Sequence, residues 1–245
     1  MQDVGATYAA LFSLLGERIP PRPRVEQIRV YVFETSAQYQ ALVAQSAPFE
    51  GSSGMYFAAG VLAFHAQHPT LGFFVSTLLH ESTHAFVDRH LVRRGVALPR
   101  WLDEGFAEYV GNSDIKKGKL VPGAHAKRQE VGAGGMNVVF WQTPSKARTE
   151  TAQRAQRQKR ALTLEEIVAA GPETFYGKDV DLYYTQGWLA VHFLRHGRPA
   201  WADNAFPRFL LFVAEGYPAS QALTAAYGVP AHDLEASYQQ YVKSF

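Results

Sequence analysis

Apolar residues recur along this chain with two spacings, and each predicts a different element. Ile28, Val30 and Val32 alternate with Arg29, Tyr31 and Phe33, so residues 28–34 predict a strand. Residues 55–64, from Met55 to Phe64, predict a second strand, interrupted at Gly60. Helical spacing dominates elsewhere. Tyr8, Leu11, Phe12 and Leu15 share one face of a helix over 3–16, stopped by Ile19-Pro20-Pro21-Arg22-Pro23. Thr35 or Ser36 caps a helix over 37–46. A longer helix runs from about Thr70 to Arg94, with Phe74, Leu78, Phe86 and Leu91 facing inward and Gly95 ending it. Pro99 begins another that continues through Val110. From 163 to 245 the spacing is helical, broken at Gly171-Pro172, Gly197, Gly216 and Gly228-Val229-Pro230. Strands come early and helices late, which predicts the α+β class.

Between these regions the pattern fades. Residues 111–160 hold Gly118, Gly123, Gly132, Gly134 and Gly135, then a polar basic stretch. They predict a flexible connector within one unit spanning 1–245, between a sheet-and-helix part (1–110) and a helical part (161–245). The basic stretch Lys146…Arg148…Arg154…Arg157…Lys159-Arg160 is broken by Glu150 and by alanines and glutamines, so it reads as a solvated helical face.

Composition removes several function classes. The 245 residues carry Lys+Arg 24 against Asp+Glu 22, too even a balance for a nucleic-acid or membrane-surface binder. The chain has no cysteine, which excludes disulfides, thiolate nucleophiles and cysteine-ligated zinc. No apolar run approaches the ~20 residues of a transmembrane helix. The first residues lack a signal-peptide layout. A leader removed before them would leave no trace, so a secreted or periplasmic location and a cytoplasmic one both stand, and the oligomeric state is open.

The chemistry concentrates in His80-Glu81-Ser82-Thr83-His84. Two histidines four apart on a helix lie on one face, where both imidazoles reach one ion with Glu81 beside it. The flanks Phe73-Phe74-Val75, Leu78-Leu79 and Ala85-Phe86-Val87 are apolar, and polar groups in a buried helix need partners. A catalytic zinc takes three protein ligands and a water. Glu104, 20 residues after His84 in Trp101-Leu102-Asp103-Glu104-Gly105-Phe106-Ala107-Glu108, supplies a third; Asp103 and Glu108 are its alternatives. Glu104 and Glu108 share a face at i, i+4, so one can bind the ion while the other accepts from a histidine.

These motifs resemble the gluzincin metallopeptidases. The histidine pair, the gap of 19 and Glu104 within Trp-Leu-Asp-Glu-Gly-Phe-Ala are similar to the zinc signature of the membrane-alanyl-aminopeptidase type, and His80–Asp88 is similar to the active-site helix of thermolysin. The resemblance is specific over about 75–112. It implies a zincin-like fold, Zn²⁺ on His80, His84 and Glu104, Glu81 as general base, and Glu108 as support for a histidine. Tyr184-Thr185-Gln186-Gly187-Trp188-Leu189 looks like the helix start that carries that family's transition-state tyrosine, which implies a catalytic Tyr184, with Tyr183 as the second choice. Over the whole length the chain is similar, through weaker motifs, to small bacterial gluzincin-like domains of unassigned function.

The chain departs from the aminopeptidase pattern at Gly54-Met55-Tyr56-Phe57-Ala58-Ala59-Gly60, where no glutamate follows the methionine to hold a substrate amine. Exopeptidase specificity does not carry over, and Gly54–Phe64 is a candidate substrate-binding strand only. The expected function is a zinc metallopeptidase acting on extended peptides or proteins. The alternatives are a non-peptidase zinc amidase and a metal-containing peptide-binding module without turnover. Asp88 is either support for a histidine or a surface carboxylate. His65, His68, His90, His125, His192, His196 and His232 read as surface or hydrogen-bonded histidines. Gly132-Ala133-Gly134-Gly135 lacks the lysine of a phosphate loop.

Overall fold

The computed structural model describes residues 28–44, 52–58, 60–67, 71–116, 119–121, 144–197 and 204–244. The helix expected over 3–16, the glycine-rich segment at 132–135, His68 and His125 lie outside them. The class is mixed α+β, with a small sheet and a mainly helical remainder.

The sheet comprises β1 (Arg29–Phe33), β2 (Gly54–Phe57) and β3 (Val61–His65), in the order β1-β3-β2. β1 lies parallel to β3 with Val30 opposite Leu62, and β2 lies antiparallel to β3 with Tyr56 opposite Leu62. The single interrupted strand expected at 55–64 is therefore a hairpin. Gly60, at φ +78°, sits in its turn, where Gly60 N–H donates to Phe57 O at 2.8 Å. Among the described residues β2 is the edge on that side, so the candidate substrate strand shortens to 54–57. α1 (Ser36–Val43) packs on the sheet through Tyr39 and Val43; Thr35 caps it with Gln38 in a reciprocal capping box.

α2 (Leu71–Phe86) carries the histidine motif. It continues as a π-helical turn over Val87–Leu91 and stops at Val92, which is extended (φ −75°, ψ 144°), three residues before Gly95. α3 (Arg100–Gly111) starts on Pro99 and is buried around almost its whole circumference. A two-stranded ribbon, β4 (Asp114–Lys116) and β5 (Lys119–Val121), follows. Within the expected connector, 144–157 forms a regular helix, α4 (Pro144–Arg157). The helical C-terminal part is α5 (Leu164–Ala169), α6 (Pro172–Phe175), α7 (Val180–His196), α8 (Ala205–Ala214), α9 (Ala219–Tyr227) and α10 (Ala231–Lys243). One apolar cluster joins α2, α3 and α5–α10, with Trp101, Phe106, Tyr109, Trp188 and Phe209 fully or almost fully buried. No helix among the described residues is long and apolar enough to cross a membrane.

α3 and α7 cross at two glycines. A Cβ on Gly105 would stand 2.5 Å from Gly187 O, and one on Gly187 would stand 3.0 Å from Trp101 O. Backbone fills both spaces, so neither helix can yield by a rotamer change. Gly111 plays the same part against α2, where a Cβ would meet Ser76 O at 3.1 Å and the His80 Cβ at 3.2 Å. These approaches set the depth at which α3 presents its carboxylates to α2. Gly105→Ala is expected to destabilise the fold by about 3 kcal/mol or more, the upper end of overpacking costs. Chemical denaturation of the variant beside wild type checks this; an unchanged midpoint would contradict the close crossing.

Candidate metal centre

α2 presents His80 and His84 on one face, and α3 lies across it. The two Nε2 atoms are 3.1 Å apart, and Glu104 Oε2 lies 3.4 Å from His80 Nε2 and 3.5 Å from His84 Nε2. A tetrahedral ion with bonds of about 2.0–2.1 Å has ligand–ligand edges of about 3.3 Å. The triangle is thus the right size for three corners of such a site, and among the described residues it is the histidine–carboxylate group that could hold an ion.

Each imidazole is backed by a different carboxylate. His84 Nδ1 lies 3.1 Å from Asp103 Oδ1, and His80 Nδ1 lies 3.6 Å from Glu108 Oε1. The Asp103 contact places the proton on His84 Nδ1 and leaves its Nε2 free for an ion, while Glu108 stands behind His80 as a nearby charge rather than a hydrogen-bond acceptor. Asp103 and Glu108, the alternatives for third ligand, both stand behind the histidines instead. Arg100 reaches Asp103 Oδ2 at 3.3 Å. Arg148 holds Glu108 through both oxygens, with Nε to Oε2 at 2.9 Å, and Asn112 Nδ2 adds a bond to Oε2 at 3.1 Å.

Glu81 projects from α2 towards the sheet edge, where its Oε2 accepts the Tyr56 backbone N–H of β2 at 2.7 Å. Four carboxylates (Glu81, Asp103, Glu104, Glu108) against two guanidiniums (Arg100, Arg148) leave the assembly at −2 with neutral imidazoles, a charge that a divalent cation balances.

Without an ion, protons answer the same demand. Burial favours a neutral His80, but the bond to Glu104 and the charge of Glu108 outweigh it and raise the imidazole above its ordinary value. Burial likewise opposes charge on His84, and the charges of Asp103 and Glu104 push it well above. Burial would raise Glu104, yet the two histidines hold it well below the carboxylate range.

Tyr184 is half-buried near the start of α7, close to Glu104 and Glu108. Burial first, then those two charges and Tyr176, drives its phenol far above the ordinary value. The Arg148 guanidinium lies 5.7 Å from its ring centre. Tyr183 turns into the apolar cluster beside Phe175 (5.7 Å), away from the carboxylates. The structure thus brings His80, Glu81, His84 and Glu104 together, with Tyr184 beside Glu104. Asp88 stands apart, accepting from the Tyr56 hydroxyl at 2.6 Å. His192 and His196 bond to Tyr241 and Tyr109 hydroxyls at 2.8 Å each, His65 packs against Tyr39, His90 against Phe86, and His232 pairs with Asp233.

Arg148 and Tyr176 were not legible as site residues. Arg148 belongs to the stretch expected to be solvated. The signal was present: 148, 152 and 155 share a helical face, and Ala152 and Ala155 are buried. Tyr176, whose hydroxyl donates to Glu104 Oε1 at 3.1 Å, sits in a short Pro-Gly-rich segment with no periodicity to read.

No known protein-family model matches the chain, and no curated protein matches it.

Three outcomes follow from this site. Protons and an ion compete for the imidazoles, and because both are raised, the competition begins above pH 6.5. Affinity for an added divalent ion should fall on acidification by up to about 100-fold per pH unit, tenfold per imidazole. In the metal-free protein the raised histidines stabilise the fold fully below their unfolded value near 6.5 and lose that contribution as pH rises through their folded values. Glu104 acts oppositely: its contribution is present above the ordinary carboxylate value and lost as pH falls through its lowered one. The melting increment on adding zinc should therefore grow from pH 6 to pH 8. Arg148→Ala frees Glu108 from its clamp and should weaken binding of an added divalent ion such as zinc about tenfold; chelator competition measures it.

Proposed function

We propose that the chain is a zinc-dependent hydrolase of the zincin-like, gluzincin type, and that it cleaves peptide bonds. The observation that carries this reading is the triangle of His80 Nε2, His84 Nε2 and Glu104 Oε2, with a carboxylate behind each imidazole and Glu81 beside it on the same helix.

A zinc ion held by these three residues would supply a Lewis acid and a water acidic enough to ionise near neutral pH. The chain's own groups do the rest. Glu81 takes the proton of the attacking water and delivers it to the leaving amine. The Tyr56 N–H at 2.7 Å fixes one oxygen of that carboxylate and leaves the other to face the reaction. Tyr184 stays protonated at any working pH, because burial and two nearby carboxylates oppose its ionisation, so it serves as a hydrogen-bond donor to the developing oxyanion. Among the described residues β2 is the outer strand of the sheet and lies beside Glu81, which suits a substrate in extended form and favours a peptide over a compact amide. The substrate is held without the amine-binding glutamate of the aminopeptidases.

Glu81→Gln keeps the size of the side chain and the acceptor for Tyr56 N–H. It is expected to bind zinc as wild type does and to lose hydrolysis of a peptide library by a factor of about 100 or more. Glu104→Ala is expected to lose the ion itself, measured by elemental analysis after dialysis. Full turnover by purified Glu81→Gln would reject the base assignment, and stoichiometric zinc in Glu104→Ala would reject the ligand set.

A further inference from the structure

Glu104 uses its two oxygens differently. Oε2 faces both histidine Nε2 atoms, at 3.4 and 3.5 Å, while Oε1 accepts the Tyr176 hydroxyl at 3.1 Å. Tyr176 closes the short α6 turn, its N–H donating to Pro172 O at 3.0 Å. Its ring stands edge-on to Phe175 at 5.2 Å, and Phe175 is fully buried against Tyr183 and Tyr184. Arg100, which also holds Asp103, lies 5.9 Å from the Tyr176 ring centre. The phenol is therefore aimed by a packed aromatic base rather than by a free side chain.

We propose that Tyr176 is a positioning residue for the metal: by occupying Glu104 Oε1 it makes Glu104 a one-oxygen ligand. This rests on the zinc reading above and extends it to a residue outside the sequence motifs. A carboxylate free to turn about its terminal bond can bring both oxygens to an ion. It then takes two positions, and a site with three protein ligands needs its remaining position for water. A donor on the distal oxygen stops that rotation and tempers the charge on the ligating one. Tyr184 packs on the same Phe175 ring from the next helix, at 5.0 Å between ring centres.

The test uses the full chain and its Tyr176→Phe variant, which removes one oxygen and keeps the ring on Phe175. Zinc affinity by chelator competition should fall about ten- to a hundredfold, the usual cost of losing a partner of a metal ligand. Cobalt(II) replacing zinc should show the intense visible bands of a four-coordinate ion in wild type and weaker, five-coordinate bands in the variant. Tyr183→Phe, at a ring that packs on the same Phe175 but lies in the apolar cluster, leaves the Tyr176–Glu104 bond intact and should keep zinc affinity near that of wild type. Unchanged affinity and spectrum in Tyr176→Phe overturn the proposal, as does an equal loss in Tyr183→Phe, which would signal general repacking. If Tyr176→Phe fails to fold, difference infrared spectra of zinc-loaded and zinc-free wild type decide: a wide splitting of the carboxylate stretches supports one-oxygen binding, a narrow one refutes it. A wild type that binds no zinc at all defeats the metal reading itself, a separate result.

Discussion

Charge compensation inside a helical core governs this molecule. α3 is buried on nearly every side, yet it carries Glu104 and Glu108 at 7% and 8% exposure. A buried carboxylate without a partner costs several kcal/mol. The fold answers from three directions. α2 brings two imidazoles, α4 brings Arg148 to both oxygens of Glu108, and Tyr176 and Tyr184 arrive from the turn after α6 and the start of α7. What remains after these pairings is a concentrated negative site whose open corner faces two imidazole nitrogens. Stability and chemistry are the same problem here: the groups that keep the carboxylates soluble in the core also aim the atoms that could hold an ion.

That arrangement tolerates little slack in the backbone. Nδ1 of each histidine must meet a carboxylate while both Nε2 atoms converge on Glu104, so the separation of α2 and α3 has to be correct to a few tenths of an ångström. Gly111 against His80, and Gly105 against Gly187, let the helix axes approach to that depth. The same close crossing brings the N-terminal half of α7, with Tyr184, over the carboxylates. On the other side the hairpin edge β2 is tied to α2 through the Tyr56 N–H on Glu81, and to the π-helical turn that continues α2 through the Tyr56 hydroxyl on Asp88. Asp88, one turn past His84, thus serves the site indirectly by anchoring the edge strand rather than a histidine.

Much of the candidate site was legible because its residues are close in sequence and on regular helices. His80, Glu81 and His84 occupy one turn and a bit, and Glu104 and Glu108 occupy another, so helical periodicity alone puts each set on one face. That Glu108 can support a histidine follows from the same spacing, but not which histidine. Asp103 behind His84 does not, because which carboxylate meets which imidazole depends on the crossing of α2 and α3. Arg148 was obscured by its neighbours: a helix rich in arginine and glutamine reads as solvated unless the alanines at 152 and 155 are recognised as a contact face. Strand pairing was also hidden. Met55 to Phe64 is a continuous apolar run, and nothing local separates one long strand from a tight hairpin except the φ that Gly60 adopts in its turn.

The sequence by itself determined the α+β class, the two helices that carry the histidines and carboxylates, and the types of ligand they offer. Those follow from propensity and period, which act over a few residues. The tertiary structure alone decided which oxygen of Glu104 faces the histidines and which faces Tyr176, which carboxylate stands behind which imidazole, and which of Tyr183 and Tyr184 turns to the site. Each of these depends on contacts between residues 19 to 80 positions apart, and packing, not local preference, sets the distances that decide them.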